Sequence, residues 1–295
     1  MAANDPKNTQ LSEVDAYRLK KTHPAVKVLI YIFLAIWTFV NLYPLFWMFT
    51  FSLKSNEEIY GLNVAGLPQK WLWHNYPDAL KTGHMPRYFF NSIVITVAAM
   101  AITLIAALMA TYALTRIKWK GSKLMNSIFM LGLTIPLHAS ILPVYLILSK
   151  LHWLNSYQAL IIPYAAFSLA MAILICTGFM VDIPKDLDEA AYIDGCGVWG
   201  TFLKVILPLT KPAFATIGIY SFLQSWNELM FANIFNSKGE LKTIPVGIQS
   251  FQGQYLTDWG LVGAVLVMAT FPTLLAYVFL SKKIQSSFIA GAVKG

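Results

Sequence analysis

Two groups of polar residues stand out in a chain of 295 residues that is 57% hydrophobic and 12% charged. The first is acidic: Asp182, Asp186, Asp188, Glu189 and Asp194 place five of the fourteen acids between positions 182 and 194. Pro184 suits a first helical turn, where its missing N–H is harmless. The acids behind it sit where a helix N-terminus favours negative charge, and Gly195 can take the left-handed stop. This spacing predicts a helix over 185–194 and a turn. A second helix follows, with Trp199, Phe202 and Ile206 on one face, ended by Pro208 and Pro212. The stretch is too polar to cross a bilayer, so it lies outside one and contacts something. Its acidic half suits a groove with a basic lining. The apolar face of its second half needs lipid, the protein's own spans or a partner.

The second group is Tyr220, Gln224, Asn227, Glu228 and Phe231, which recur at helical spacing with Trp226 beside them. Amide, carboxylate and aromatic groups on one stripe can hydrogen-bond the hydroxyls of a polyhydroxylated solute and cover its C–H surfaces. Polar side chains at membrane depth face either a water-filled path or a neighbouring helix that they bond, and both readings fit these residues. Neither group has the spacing of an enzyme site. The chain lacks a Gly-rich phosphate loop, a His-Glu-x-x-His zinc motif, a Cys-x-x-Cys pair and a Gly-x-Ser-x-Gly elbow. Its histidines are scattered, and His138, inside an apolar run, reads as a hydrogen-bonded packing residue beside Pro136 rather than a proton relay. Cys176 falls in an apolar run and Cys196 in the polar stretch, so no disulfide is expected.

Six apolar runs must position these groups: 26–53, 88–114, 124–148, 158–181, 213–235 and 260–280. Each is long enough for a hydrocarbon core of about 30 Å, which takes roughly 20 helical residues. The fold class is therefore all-α, a polytopic membrane protein with six transmembrane helices. Pro44 falls in the first run, and Pro136 and Pro143 interrupt the third. Ala165, Ala166, Ala170 and Ala172 let the fourth approach its neighbours closely. The chain divides into a polar tail (1–25), a first span with its loop (26–87), a core of five spans that includes the polar stretch 182–212 (88–281), and a second tail (282–295). The first run is too long for a cleaved signal peptide. Six spans put both termini on one side, and that side carries fifteen of the 22 Lys and Arg residues. The positive-inside rule then puts the termini and the polar stretch in the cytoplasm. Basic flanks of this kind account for the net charge of +8 without a nucleic-acid partner.

The polar stretch also resembles a known one. Glu189-Ala190-Ala191-x3-Gly195-x9-Val205-x-Leu207-Pro208 is similar to the EAA loop of binding-protein-dependent ABC importers, with Val205 where the family pattern has Ile. Further stretches resemble the smaller permease subunit of the maltose-type carbohydrate-uptake branch: Ser52-Leu-Lys-Ser-Asn-Glu57, Asn75-Tyr76, Asn91-Ser92, Ala113-Leu-Thr-Arg116, Ile183-Pro184-x-x-Leu187, Trp226-Asn227-Glu228 and Gly291-Ala-Val-Lys-Gly295. The resemblance covers about residues 26 to 295. It implies a coupling helix between spans four and five that docks in a cleft of a cytoplasmic ATPase dimer. Asp186, Glu189, Ala190, Ala191, Asp194, Gly195, Trp199, Phe202 and Pro208 would form the coupling element, with Glu189 making a basic contact and Gly195 the turn. It implies a homologous second permease, an extracytoplasmic solute-binding protein, a sugar substrate and a bacterial inner-membrane location. ATP and Mg belong to the partner ATPase, so this chain binds no cofactor and catalyses nothing itself. Tyr220, Gln224, Trp226, Asn227 and Glu228 are the candidates for the substrate pathway.

Three rivals compete with this reading. An ion-coupled secondary transporter needs ionisable residues within its spans, and usually internal repeats. The chain offers chiefly Glu228 and His138, with no evident repeat. A membrane enzyme needs a metal, nucleophile or paired-carboxylate constellation, whereas the acids here cluster in one helix. An ABC permease for a glycerol phosphodiester or a peptide is closer. A phosphate-bearing solute favours Lys or Arg in the pore, and none lies mid-span.

Overall fold

The computed structural model describes residues 24–61, 63–82, 84–251 and 257–292. Most of the expected N-terminal tail, and residues 293–295 of the second, lie outside these. The chain divides into two units, one ending at Thr50 and one beginning at Phe51. The first contains all but the last residue of helix α1 (Pro24–Phe51), which runs unbroken through Pro44. Its large apolar side chains from Val26 to Phe46 are exposed, the surface a lipid-facing helix presents.

The second unit is built on two long helices, α4 (Met85–Thr115) and α7 (Gln158–Val181), packed along their lengths. Small residues allow the close approach: Ala99 and Ala107 are buried on one helix, and Ala165, Ala170 and Ala172 on the other. Thr103 Oγ1 donates to the Ala99 carbonyl at 2.8 Å and reaches the Ala165 carbonyl at 3.4 Å. Before these helices come the short α2 (Asn56–Tyr60) and α3 (Asn75–Thr82).

The third span is broken. Helix α5 (Ser122–Leu131) continues as a 3-10 turn to Thr134, and a second turn, His138–Ser140, leads into α6 (Ile141–Lys150). The two arms bend by 96°. Pro136 is the cause, because a residue before proline is pushed out of the helical region, and Ile135 is extended at φ −75°, ψ 117°. Pro143 sits in the first turn of α6, where proline is tolerated. A Cβ at Gly132 would lie 3.2 Å from the Ala170 Cβ, so the broken arm approaches α7 closely. His138 is exposed at the bend rather than packed.

After α7 come α8 (Asp186–Ile193), α9 (Val198–Leu209), α10 (Lys211–Trp226), α11 (Met230–Phe235), α12 (Ile244–Ile248) and α13 (Trp259–Ala292). The expected fifth span, 213–235, is thus two helices, and α13 runs past the expected end of the sixth. Among the described residues, four helices are long and apolar enough to cross a membrane, or up to six if each bent pair is one span.

Side-chain amides tie the loops to one end of the bundle. Asn75 Nδ2 donates to the Ser52 and Lys54 carbonyls at 2.9 and 3.1 Å. Asn91 Nδ2 donates to the Glu240 and Lys242 carbonyls, both at 2.8 Å, and Asn91 Oδ1 accepts from Tyr157 Oη at 2.8 Å. Lys54 is fully buried, and its ammonium donates to the Asn63 and Val64 carbonyls at 2.6 and 3.0 Å. Burial holds its pKa below the usual lysine value, with Glu58 opposing the shift.

Candidate coupling surface and solute path

Helix α8 carries Asp186, Asp188 and Glu189 in its first turn, where the helix dipole favours them. It ends in a Schellman turn. The Cys196 N–H donates to the Ala191 carbonyl at 2.9 Å and the Gly195 N–H to the Tyr192 carbonyl at 3.0 Å. Gly195 sits at φ +82°, with nothing within 4 Å of where a Cβ would be. Backbone conformation, not crowding, therefore selects glycine there.

The hairpin has an inward and an outward side. Ala191 and Asp188 are buried, and Arg116 Nη1 donates to Asp188 Oδ2 at 2.7 Å. Asp186, Glu189, Ala190, Asp194 and Gly195 are exposed. Beside them stand Ile193, 86% exposed, and Trp199, 63% exposed. Apolar side chains this open beside three carboxylates make a mixed acidic and apolar patch.

Helix α9 does not present one apolar face. Its segment Phe202–Ile206 is a π turn, in which the Leu207 N–H donates to the Phe202 carbonyl. Pro208 has no N–H for the Lys204 carbonyl and its ring crowds that group, and a wider turn relieves the clash. Phe202 and Ile206 face inward, buried with Tyr112, Cys176 and Met180. The Phe202 ring lies 5.0 Å from that of Tyr112. Trp199 stays outside, edge-on to Phe202 at 6.1 Å. Pro208 is exposed, the chain turns at the buried Thr210, and α10 leaves at 75° to α9.

A cavity of about 200 Å³ lies between the broken third span, α7 and α10; its polar lining is Tyr164, Ser168, Tyr220, Gln224, Ser225 and Glu228. Gln224 Nε2 donates to Tyr220 Oη at 3.2 Å. Glu228 Oε2 accepts from Tyr164 Oη at 2.6 Å and from the Ala232 N–H at 3.1 Å, and Oε1 accepts from the Phe231 N–H at 2.9 Å. The carboxylate thus caps α11 at its N-terminus, as an acid does when it takes orphan N–H groups. This cap ends the single helical stripe expected from sequence, because α10 stops at Trp226 so that Glu228 can precede α11.

Tyr220, Gln224 and Glu228 are therefore brought together at the cavity, while two other candidates are elsewhere. Asn227 is the C-cap of α10 and its Nδ2 donates to the Leu223 carbonyl at 2.9 Å. Trp226 is buried, stacks on Phe222 at 5.4 Å and donates from Nε1 to the Ala269 carbonyl at 3.1 Å, so it anchors α10 to α13. Sequence reasoning missed Tyr164, Ser225 and the Arg116–Asp188 pair. Polar residues inside apolar runs were the available signal for the first two. Among the described residues no three His, Cys, Asp or Glu side chains group as metal ligands.

Comparison with known proteins agrees with this architecture. Residues 102–286 match the family described as binding-protein-dependent transport system inner membrane component. The chain is 35% identical to the trehalose/maltose transport system permease protein MalG of Thermococcus litoralis, covering 91% of this chain and 97% of that one. It is 34% identical to the sulfoquinovosyl glycerol transport system permease protein SmoH of Agrobacterium fabrum, covering 86% and 90%. A solved bacterial ABC transporter involved in import of the acidic polysaccharide alginate contains a chain of the same fold, with a TM-score of 0.76 at 22% identity, covering 96% of this chain and 99% of that one. The chain belongs to the family of binding-protein-dependent transport system inner membrane components, the permeases of ABC importers.

Proposed function

We propose that this chain is one permease subunit of an ATP-driven importer for an uncharged di- or oligosaccharide, embedded in a bacterial inner membrane with both termini cytoplasmic. The observation that carries the reading is the two-sided α8–α9 hairpin. One side is locked into the bundle, and the other offers Asp186, Glu189, Ile193 and Trp199 to a partner. That partner is a cytoplasmic ATPase dimer, which holds the ATP and Mg. Its closure swings this subunit and a homologous second permease between inward-open and outward-open states. An extracytoplasmic binding protein delivers the solute, and this chain performs no catalysis of its own.

The cavity supports the substrate class. Its lining joins two tyrosines, an amide, two serine hydroxyls and one carboxylate, without Lys, Arg or His. Hydroxyl and amide groups match sugar hydroxyls, and aromatic faces match sugar C–H surfaces. The lone carboxylate disfavours an anionic solute. The names of the relatives point to glycosides as a class, and this lining favours the neutral ones.

Reconstitution tests the proposal. In proteoliposomes holding the full complex, neutral-sugar uptake is expected to require both ATP and the loaded binding protein. Uptake by the permease pair without the ATPase, driven by a proton or sodium gradient, would contradict it.

A further inference from the structure

Arg116 lies where three helices meet. It is the C-cap of α4, and its backbone N–H donates to the Tyr112 carbonyl. Its side chain reaches across to the end of α7, where Nη2 donates to the Met180 carbonyl and, at 2.6 Å, to the Ile183 carbonyl. Nη1 holds Asp188 of α8 at 2.7 Å. Both side chains are withdrawn from solvent, 4% exposed for Arg116 and 11% for Asp188. The carbonyls at a helix C-terminus favour a cation, and a guanidinium has enough fixed donors to serve all three acceptors at once. Lysine cannot reproduce that fork. A second tie runs parallel to it, since Tyr112 Oη donates to the Val198 carbonyl of α9 at 3.2 Å.

We propose that Arg116, with Asp188 as its counter-ion, is the positioning residue that makes the coupling hairpin move as one body with α4 and α7. The inference rests on the reading of α8 as the ATPase-docking helix. A push on the outward carboxylates reaches the spans only if the inward side of α8 cannot slide. Ala191 offers a single methyl group there, too little to resist sliding. The buried ion pair sets both the distance and the register of α8 against the ends of α4 and α7. Its role is in transmission, not in docking, because Asp188 faces away from the exposed patch.

The experiment uses the complete reconstituted complex, with three readouts: ATPase retained on purification, ATP hydrolysis, and solute imported per ATP. Arg116→Lys keeps the charge and loses the fork. Arg116→Met with Asp188→Leu removes both charges together, so that no buried ion is left unpaired. Both are expected to retain the ATPase and to hydrolyse ATP at rates near wild type. Solute per ATP should fall by about tenfold, the usual size of a coupling between sites, and the response of hydrolysis to the loaded binding protein should weaken alike. Glu189→Lys, on the outward side, is expected instead to lose the ATPase. Wild-type solute per ATP in the paired variant overturns the clamp. A loss of ATPase binding in Arg116→Lys equal to that in Glu189→Lys also overturns it, since the pair would then merely shape the docking face. If Glu189→Lys keeps the ATPase, the docking reading fails, whatever the clamp variants do.

Discussion

Lys54 illustrates how one side chain holds an irregular segment. Its ammonium takes the place of solvent for the Asn63 and Val64 carbonyls. Lys54→Met leaves both without that donor, and the segment from Ser55 to Leu72 should lose about 1–3 kcal/mol of local stability, read by hydrogen exchange. The pH dependence has a definite sign. The folded pKa lies below the ordinary 10.5 because of burial. Between the two values the unfolded chain therefore holds more protons, and folding gains stability as pH rises through that window. The advantage of wild type over Lys54→Met should grow as pH climbs toward 10.5. Gly195 gives a second prediction at this scale. Gly195→Ala meets open space but a strained φ, so it should cost about 1–2 kcal/mol in the thermal stability of the purified chain. Gly195→Pro is expected to cost more, because it also removes the bond to the Tyr192 carbonyl. These roles were unevenly legible. A glycine after an acidic helix announces a stop, and Gly195 is one. A lysine beside an apolar run reads as a charge at the membrane surface, and nothing local says that Lys54 is wrapped by residues nine and ten positions ahead.

At the scale of elements, the proline breaks and the carboxylate cap carry the most information. Pro136 and Pro208 were visible as interruptions, and each one bends or widens its helix as proline chemistry requires. The bend of 96° was not visible, since a proline marks where a helix breaks and not the angle at which the chain resumes. The stripe from Tyr220 to Phe231 misled because helical periodicity persists in the letters while the chain leaves the helix at Asn227. Glu228 supplies the reason. Its three acceptor contacts predict an order among variants. Glu228→Ala loses the cap of α11 and the Tyr164 partner together, and should destabilise the bundle by about 1–2 kcal/mol. Glu228→Gln keeps one carbonyl acceptor and should cost less, as thermal unfolding of the two purified variants will show. The family stretches quoted from sequence gain a physical meaning here as well. Asn75, Asn91, Ser92 and Arg116 are hydrogen-bond knots between elements distant in the chain, with Ser92 Oγ accepting from the Ile244 N–H at 2.9 Å.

At the scale of the whole molecule, α4 and α7 form the frame against which the two-sided α8–α9 hairpin and the polar-lined cavity are set. Composition and run lengths were enough to read a polytopic helical protein. The chain has no Gly-rich phosphate loop, so the proposed ATP-driven transport needs an ATPase on another chain. The cavity lining was less legible, because Tyr164 comes from a helix far from α10 in sequence and only the packing brings it to Glu228. One prediction belongs to this scale: competition assays on reconstituted uptake should find neutral oligosaccharides inhibitory and uronate-bearing ones weak, with Glu228→Gln narrowing that gap. The most direct test of the central claim is retention of the ATPase subunit on the purified permease, compared between wild type and Glu189→Lys. Wild type is expected to retain it, and the charge reversal to lose most of it while the permease stays folded in the membrane. Equal retention, with normal uptake, would contradict the assignment of the α8–α9 hairpin as the coupling surface.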